Sequence, residues 1–276
     1  MKPHIIGESV CGASHRRVGK ECQDSWGYKT IEHCDSVALA VADGHGSEAC
    51  PHSKIGSGIA VSTFCDIIEK FCRNDAGKTD SLHTFLNREG EIVVAKSIEA
   101  EWKRRVLCRH SADAGAGRQD EGHSSICVKY GSTLAGLLVT PKFFFALQIG
   151  DGNIAFMDDS GLKPVILQDR ILGNETYSLS GVHSWKNVIC VTGRRDAGVP
   201  HVFMLSTDGF INSFASSEEY EKSCLGYYEM IRKHGVSEVA KYLGNWLRET
   251  SEMGCGDDIS VLFCSASCGE DERPDR

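Results

Sequence analysis

The stretch VALAVADGHGS, residues 37–47, decides how this chain folds. Residues 37–42 form an unbroken apolar run with β-branched members, and Asp43 and Gly44 follow directly. Such a run is typical of a strand that is buried on both faces, and the Asp-Gly pair marks its end. We therefore expect Asp43 to stand at the end of a buried strand, where a rigid backbone can hold a carboxylate in place.

The rest of the chain predicts more strands and several helices around this one. Apolar residues at helical spacing follow it twice, in residues 55–71 and 92–106. Further strands are expected at residues 132–140, 143–149, 154–157, 188–192, 202–205 and 259–264. Two later helices are expected at residues 218–234, with Ser216 or Ser217 as N-cap, and at residues 236–250. Short strands joined by short turns indicate antiparallel sheet with helices outside, an α+β fold.

Composition excludes several classes of function. The 276 residues carry a formal net charge of −8, which argues against a nucleic-acid partner because such binding depends on Lys and Arg. No apolar stretch is long enough for a signal peptide core or a membrane span. The 13 cysteines are scattered without a CxxC pair, as expected of reduced, buried thiols. We therefore expect a cytoplasmic protein with no membrane partner.

Asp-Gly pairs end three apolar runs, and they are the strongest candidates for chemistry. The pairs begin at Asp43, Asp151 and Asp208, and Asp257 stands before the last expected strand. The pair at Asp151 suits a hairpin turn within a meander of residues 132–157, whereas the pairs at Asp43 and Asp208 precede helices. Carboxylates at several strand ends can converge on one hard cation, and oxygen ligands alone favour Mg²⁺ or Mn²⁺.

Two rival sites have weaker support. Cys11 and Arg17 have the C-x5-R spacing of cysteine-based phosphatases, but no histidine precedes this cysteine and no Ser or Thr follows the arginine. Residues 77–79 (GKT) lack the glycine that a nucleotide-binding P-loop needs five residues earlier. Neither pattern predicts a catalytic site.

Several short motifs occur in an order that resembles one enzyme family. They are CQDSW (residues 22–26), VADGHGS (41–47), GSTL (131–134), LQIGDG (147–152), STDGF (206–210) and GDDIS (256–260). This order is similar to that of the metal-dependent serine/threonine protein phosphatases of type 2C, over roughly residues 5–264. The resemblance implies a four-layer αββα sandwich, with two packed antiparallel sheets flanked by helix pairs. It also implies one phosphatase domain over residues 1–268, followed by a charged, frayed tail at 269–276.

The resemblance also assigns roles to individual residues. By position, Asp43 resembles the aspartate that bridges two metal ions, and Gly44 the residue whose carbonyl completes the shell. Asp208 and Asp257 match the other direct ligands, with Asp257 preferred over Asp258. Asp151 matches an aspartate that helps hold a third, weaker metal ion. His45 aligns with a histidine proposed to protonate the leaving group.

The chain departs from its relatives at two positions. Gln23 stands where many relatives have Glu. Asp24 must therefore supply the negative charge, and its carboxylate is expected to accept a hydrogen bond from a metal-bound water. Gly19 stands where relatives place a phosphate-binding arginine. Arg17, Arg16 or Lys20 could replace it, and we assign Arg17 because only arginine offers a bidentate fork.

The function that this resemblance implies is hydrolysis of phosphoserine and phosphothreonine in proteins by a metal-activated water, in signalling. Two core Mn²⁺ or Mg²⁺ ions and a third are expected as cofactors, a phosphorylated protein as partner, and a monomer as the oligomeric state. Two alternatives stay open: a pseudophosphatase that binds phosphoproteins, and a phosphatase for a small metabolite. The segment GNETY, residues 173–177, resembles part of a flap beside the active site and equally suits a solvated loop.

Overall fold

Strands form two antiparallel sheets in the computed structural model, which describes residues 3–74, 79–114, 121–167, 176–195 and 201–265. In chain order the strands are β1 (His4–Val10), β2 (Ser25–Ile31), β3 (Ser36–Ala42), β4 (Leu134–Val139), β5 (Phe143–Ile149), β6 (Asn153–Asp158), β7 (Gly161–Pro164), β8 (Ile189–Arg194), β9 (Val202–Ser206) and β10 (Ile259–Ser265). One sheet has the order β1-β10-β9-β6-β7 and the other the order β2-β3-β4-β5-β8.

Helices cover the outer face of each sheet. They are α1 (Ala13–Arg17), α2 (Ser53–Asn74), α3 (Thr79–Glu89), α4 (Ala95–Ala114), α5 (His123–Val128), α6 (Asp208–Ile211), α7 (Ser217–His234) and α8 (Val236–Met253). A π-helical turn, Gly90–Val94, joins α3 to α4. Helices α2 and α4 pack on the sheet that contains β3, and α7 and α8 pack on the sheet that contains β10. The expected α+β fold of two packed antiparallel sheets with flanking helices is confirmed.

Strand β3 shows why its sequence is an unbroken apolar run. All of its residues are buried, because it lies inside its sheet between the other sheet and α2. Val37, Leu39 and Val41 point into the apolar layer between the sheets. Ala38 and Ala40 lie on the opposite face, where small side chains leave room for the helix. The strand therefore ends at Asp43 with its backbone fixed on both sides.

The second helix layer follows the expected sequence signals. The side chain of Ser216 caps α7 by accepting a hydrogen bond from the N–H of Glu219 at 3.2 Å. Gly235 separates α7 from α8 with φ of +78°. Tyr227, Leu243 and Phe263 are among the buried residues that join these helices to their sheet.

The expectation that residues 132–157 form one meander is wrong for the last of its three strands. Strands β4 and β5 pair as a hairpin, but β6 pairs with β7 and β9 in the other sheet. Gly150, with φ of +93°, turns the chain out of the first sheet, so Asp151 lies on a crossover between the sheets. Alternating apolar residues predict a strand but not which sheet it joins.

Sequence patterns also missed several elements. Strands β1, β2 and β7 and helices α1, α3 and α5 were not expected. The tail at 269–276, residues 115–120 of the expected surface loop and residues 173–175 of the flap-like segment lie outside the described residues. No helix in the described ranges is long and apolar enough to cross a membrane.

Candidate active site

Five aspartates that lie far apart in the sequence stand at the ends of neighbouring elements. Asp24 precedes β2, Asp43 follows β3, Asp151 lies between β5 and β6, Asp208 is the first residue of α6, and Asp257 precedes β10. Electrostatic interactions link all five: those of Asp43 reach Asp24, Asp151 and Asp257, and Asp208 interacts with Asp43. The structure thus places every aspartate that the sequence predicted for the site within electrostatic range of another of them.

The GSTL segment holds the backbone of Asp43. The carbonyl of Asp43 accepts hydrogen bonds from the N–H of Thr133 and the hydroxyl of Ser132, each at 2.9 Å. The N–H of Asp43 donates to Oγ1 of Thr133 at 3.0 Å. Because both backbone groups of Asp43 are paired, its position at the strand end is fixed.

The glycines after Asp43 and Asp208 permit close backbone contacts. A Cβ on Gly44 would lie 2.8 Å from the carbonyl oxygens of Gln23 and of Ser53. A Cβ on Gly209 would lie 2.0 Å from the carbonyl oxygen of Asp258, which brings α6 against the start of β10. These Asp-Gly pairs are therefore sites of backbone packing and not hairpin turns.

The side chain of Asp258 joins three segments of the chain. Its buried carboxylate accepts hydrogen bonds from the N–H of Gly12 at 2.6 Å and of Gln23 at 2.7 Å. Nδ1 of His15 lies 2.9 Å from Oδ1 of the same carboxylate. The side chain of Asp257, by contrast, is 50% exposed. These contacts support the choice of Asp257 over Asp258 as a metal ligand, because the oxygens of Asp258 are already engaged.

Thr207 positions Asp24. The Thr207 hydroxyl donates to Oδ2 of Asp24 at 2.6 Å, and its oxygen accepts from the N–H of Ser260 at 2.9 Å. Burial raises the pKa of Asp24 to about 7, although hydrogen bonds from Thr207 and with Asp43 oppose the rise. The sequence patterns missed the roles of Thr207 and His15, although Thr207 lies within the STDGF motif; His15 belongs to none of the motifs.

The carboxylates repel one another in a poorly solvated site. Burial raises the pKa of Asp208 to about 8, with further contributions from the charges of Asp43, Asp151 and Asp257. Burial also raises the pKa of Asp43 well above its ordinary value, and the charge of Asp24 adds to the rise. Buried carboxylates are expensive to ionise without a positive partner, so this site favours a bound cation.

The available donor atoms fit a hard cation. Oε1 of Gln23, Oδ1 of Asp24 and Oδ1 of Asp151 are buried and have no hydrogen-bond donor in the described part of the chain. All of them are oxygens, the atoms that Mg²⁺ and Mn²⁺ prefer. Within the same ranges, no three His, Cys, Asp or Glu side chains are already grouped to hold an ion together. A metal ion would therefore have to draw these carboxylates closer.

His45 lies beside the carboxylates with a fixed backbone. Its N–H donates to the carbonyl of Gly131 at 3.2 Å. Burial lowers the pKa of His45, and the charge of Asp151 opposes this shift. Burial thus favours the neutral form of the side chain, and the role of His45 as a proton donor stays a prediction.

Thr176 and Tyr177, the described part of the flap-like segment, lie beside the site. The Thr176 hydroxyl donates to Oδ2 of Asp151 at 2.6 Å. Asp151, Asp208, Thr176 and Tyr177 line a cleft of about 1030 Å³ that runs along β6 and β7. A ligand at the carboxylates would therefore have room to extend on this side.

The basic residues of α1 and the following turn differ in their contacts. Arg16 pairs with Glu252 at 2.7 Å, whereas Arg17 is exposed at the end of α1. Nζ of Lys20 donates to the carbonyl of Gly46 at 3.1 Å, beside His45. That Arg17 binds phosphate stays a prediction.

The rival cysteine site has the wrong electrostatics. Burial raises the pKa of the Cys11 thiol, and the charge and hydrogen bond of Asp258 raise it further. A cysteine nucleophile needs a lowered pKa. The structure therefore does not favour Cys11 as a nucleophile.

Comparisons with solved structures find the same fold over almost the whole chain. PppA, described as a regulatory component of T6SS in Pseudomonas aeruginosa, is 17% identical with a TM-score of 0.58, over 96% of this chain and 99% of that one. The catalytic domain of the serine/threonine protein phosphatase PstP, solved with two manganese ions, is 16% identical with a TM-score of 0.59, over 96% and 98%. The serine/threonine phosphatase of S. agalactiae is 13% identical with a TM-score of 0.62, over 95% and 99%.

Sequence comparison identifies the family. A search of curated protein sequences finds no significant match. The sequence profile of the family described as Protein phosphatase 2C, however, matches residues 11–248, a range that holds Asp24, Asp43, Asp151 and Asp208. The match covers most of the chain, and the motifs within it are those that build the site. The chain therefore belongs to the protein phosphatase 2C family.

Proposed function

We propose that this protein hydrolyses phosphoserine and phosphothreonine in proteins with the help of two Mn²⁺ or Mg²⁺ ions. The observation that carries the proposal is the crowding of carboxylates from separate elements into one poorly solvated site. Burial and mutual repulsion raise the pKa of Asp24, Asp43 and Asp208, so the site is costly to ionise without cations.

We assign the metal ligands as follows. Asp43 would be the carboxylate shared by the two ions, with the carbonyl of Gly44, Asp208 and Asp257 as the other direct ligands. Asp24 would accept a hydrogen bond from a water at the ions, and Asp151 would help hold a third ion. When bound, such ions supply positive charge at the phosphate and lower the pKa of the water that attacks phosphorus.

Several residues of the chain prepare this reaction. Ser132 and Thr133 hold the backbone of Asp43, and Thr207 orients the carboxylate of Asp24. His45 delivers a proton to the oxygen of the departing serine or threonine as the phosphorus–oxygen bond breaks. The reaction then leaves a free hydroxyl side chain and inorganic phosphate.

A protein substrate agrees with the cleft beside the carboxylates. Its lining continues from Asp208 to Leu162, Tyr220 and Glu221, which gives apolar and polar contacts for residues next to the phosphorylated side chain. A pseudophosphatase is not favoured, because every predicted metal aspartate is present at the site. We expect the protein to act as a monomer built from one domain over residues 1–268.

Hydrolysis of a phosphoserine peptide in Mn²⁺ tests the proposal. Asp43→Asn and Asp208→Ala should each slow turnover at least about a hundredfold, because each removes a carboxylate that would hold the ions. Asp113→Asn is a matched control, since Asp113 is exposed on α4 and pairs only with Arg109 among its described neighbours. Equal activity of Asp43→Asn and the wild type would contradict the assignment. Faster turnover of small phosphate esters than of any phosphopeptide would favour a metabolite phosphatase.

A further inference from the structure

The sequence has glycine where relatives place a phosphate-binding arginine, and the structure shows what this glycine does. Gly19 adopts φ of +71°, a left-handed conformation that an arginine adopts only with strain. Helix α1 ends just before it, and the N–H of Lys20 turns back to donate to the carbonyl of His15 at 3.0 Å. The glycine therefore reverses the chain at the end of α1.

This reversal brings Lys20 to the metal-binding turn. Nζ of Lys20 lies 3.1 Å from the carbonyl oxygen of Gly46, next to His45 and Gly44. The carbonyl of Lys20 also accepts a hydrogen bond from the Cys11 thiol at 3.4 Å, which ties the turn to the end of β1. An ammonium group has three protons, so the bond to Gly46 leaves two for another acceptor.

The other nearby cations are neutralised or lie elsewhere. Arg16 pairs with Glu252 at 2.7 Å, and Lys54 pairs with Glu21 at 2.6 Å. In the described ranges, Lys20 has no carboxylate within ion-pair distance, and its ammonium group contacts Gly46, three residues after Asp43. Arg17 shows no side-chain hydrogen bond or ion pair to this turn within those ranges.

We propose that Lys20 is the phosphate-binding cation of this protein, in place of Arg17. This inference rests on the proposed function, because it concerns the phosphoryl group at the same site. Lysine binds phosphate as a mobile point charge and not as a planar fork. The site therefore recognises the charge of the phosphoryl group and depends less on its orientation.

The test measures the affinity of inorganic phosphate for the Mn²⁺-loaded protein by calorimetry. Lys20→Ala should weaken phosphate binding about tenfold to a hundredfold, because it removes a charge-assisted hydrogen bond. Lys20→Arg should restore most of the affinity, and Arg17→Ala, which removes the rival cation at the end of α1, should change it less than about twofold. With a phosphopeptide, Lys20→Ala should raise KM more than it lowers kcat.

Three results would overturn the inference. The first is wild-type affinity for phosphate in Lys20→Ala, and the second is an equal loss in Arg17→Ala. The third is weaker Mn²⁺ binding by Lys20→Ala in the absence of phosphate, since that would mean that Lys20 supports the metal site. If the wild-type protein binds phosphate through Lys20 but hydrolyses no phosphopeptide, the proposed function fails and the assignment of Lys20 holds.

Discussion

Removal of divalent metal should make the protein less stable as the pH rises from 5 to 7. Folding raises the pKa of Asp24 to about 7 and of Asp208 to about 8, against about 3.9 in an unfolded chain. In this window the folded chain holds protons that the unfolded chain releases, so the free energy of unfolding falls with pH. Each such carboxyl contributes about 1.4 kcal/mol per pH unit, and the two together about 2.7.

Other titratable groups offset only part of this fall in the free energy of unfolding with pH. Burial lowers the pKa of His45, so it acts in the opposite sense below about pH 6.5. Ion-paired acids such as Asp66 and Glu101 have lowered pKa values, and their effect is largely complete by about pH 5. We therefore expect a net fall of at least about 1.4 kcal/mol per pH unit between pH 5 and 7.

Urea unfolding in excess chelator, at constant ionic strength, measures this slope. Saturating Mn²⁺ should abolish it, because the metal ions replace the protons on the carboxylates. Asp208→Asn should reduce the slope in chelator, since one of the shifted carboxyls is gone. A metal-free stability that is flat or rises between pH 5 and 7 would refute the reasoning.

Three substitutions test individual parts of the site. His45→Ala should slow hydrolysis of a phosphopeptide about 10²–10⁴-fold and that of p-nitrophenyl phosphate far less, because nitrophenolate leaves without a proton; equal losses at matched metal occupancy would exclude a general acid. Gly209→Ala should cost at least about 3 kcal/mol in urea unfolding, since its Cβ would lie 2.0 Å from the carbonyl oxygen of Asp258. The matched control Gly226→Ala, in α7 with open space around it, should stabilise by up to about 1 kcal/mol. Thr207→Val should weaken Mn²⁺ binding about tenfold or more in calorimetry, because Asp24 loses its hydrogen-bond donor, whereas Thr84→Val on α3 should not.

The sequence predicted those parts of the fold whose burial is uniform along an element. Strand β3 is buried on both faces, so its apolar run was unambiguous, and the capping serine of α7 marked its first turn. Strand β1 was missed because it carries His4 and Glu8 among its apolar residues. Strand β2 alternates large side chains at Trp26 and Tyr28 with smaller or charged ones, a signal that was present but not used.

The aspartates could be predicted because strand ends and motif order both point to them. Their supporting residues could not, because each acts through one contact with a distant segment. Thr207 meets Asp24 across 183 positions of sequence, and Asp258 meets Gly12 across 246. The turn at Asp151 was read as a hairpin because local sequence does not say that the chain leaves one sheet for the other there.

Turnover of a phosphoserine peptide by the purified protein, with and without divalent metal, tests the central claim most directly. We predict no activity in excess chelator, full recovery on addition of Mn²⁺ or Mg²⁺, and no loss after alkylation of accessible thiols such as Cys11. Full activity in excess chelator would contradict a metal-dependent mechanism.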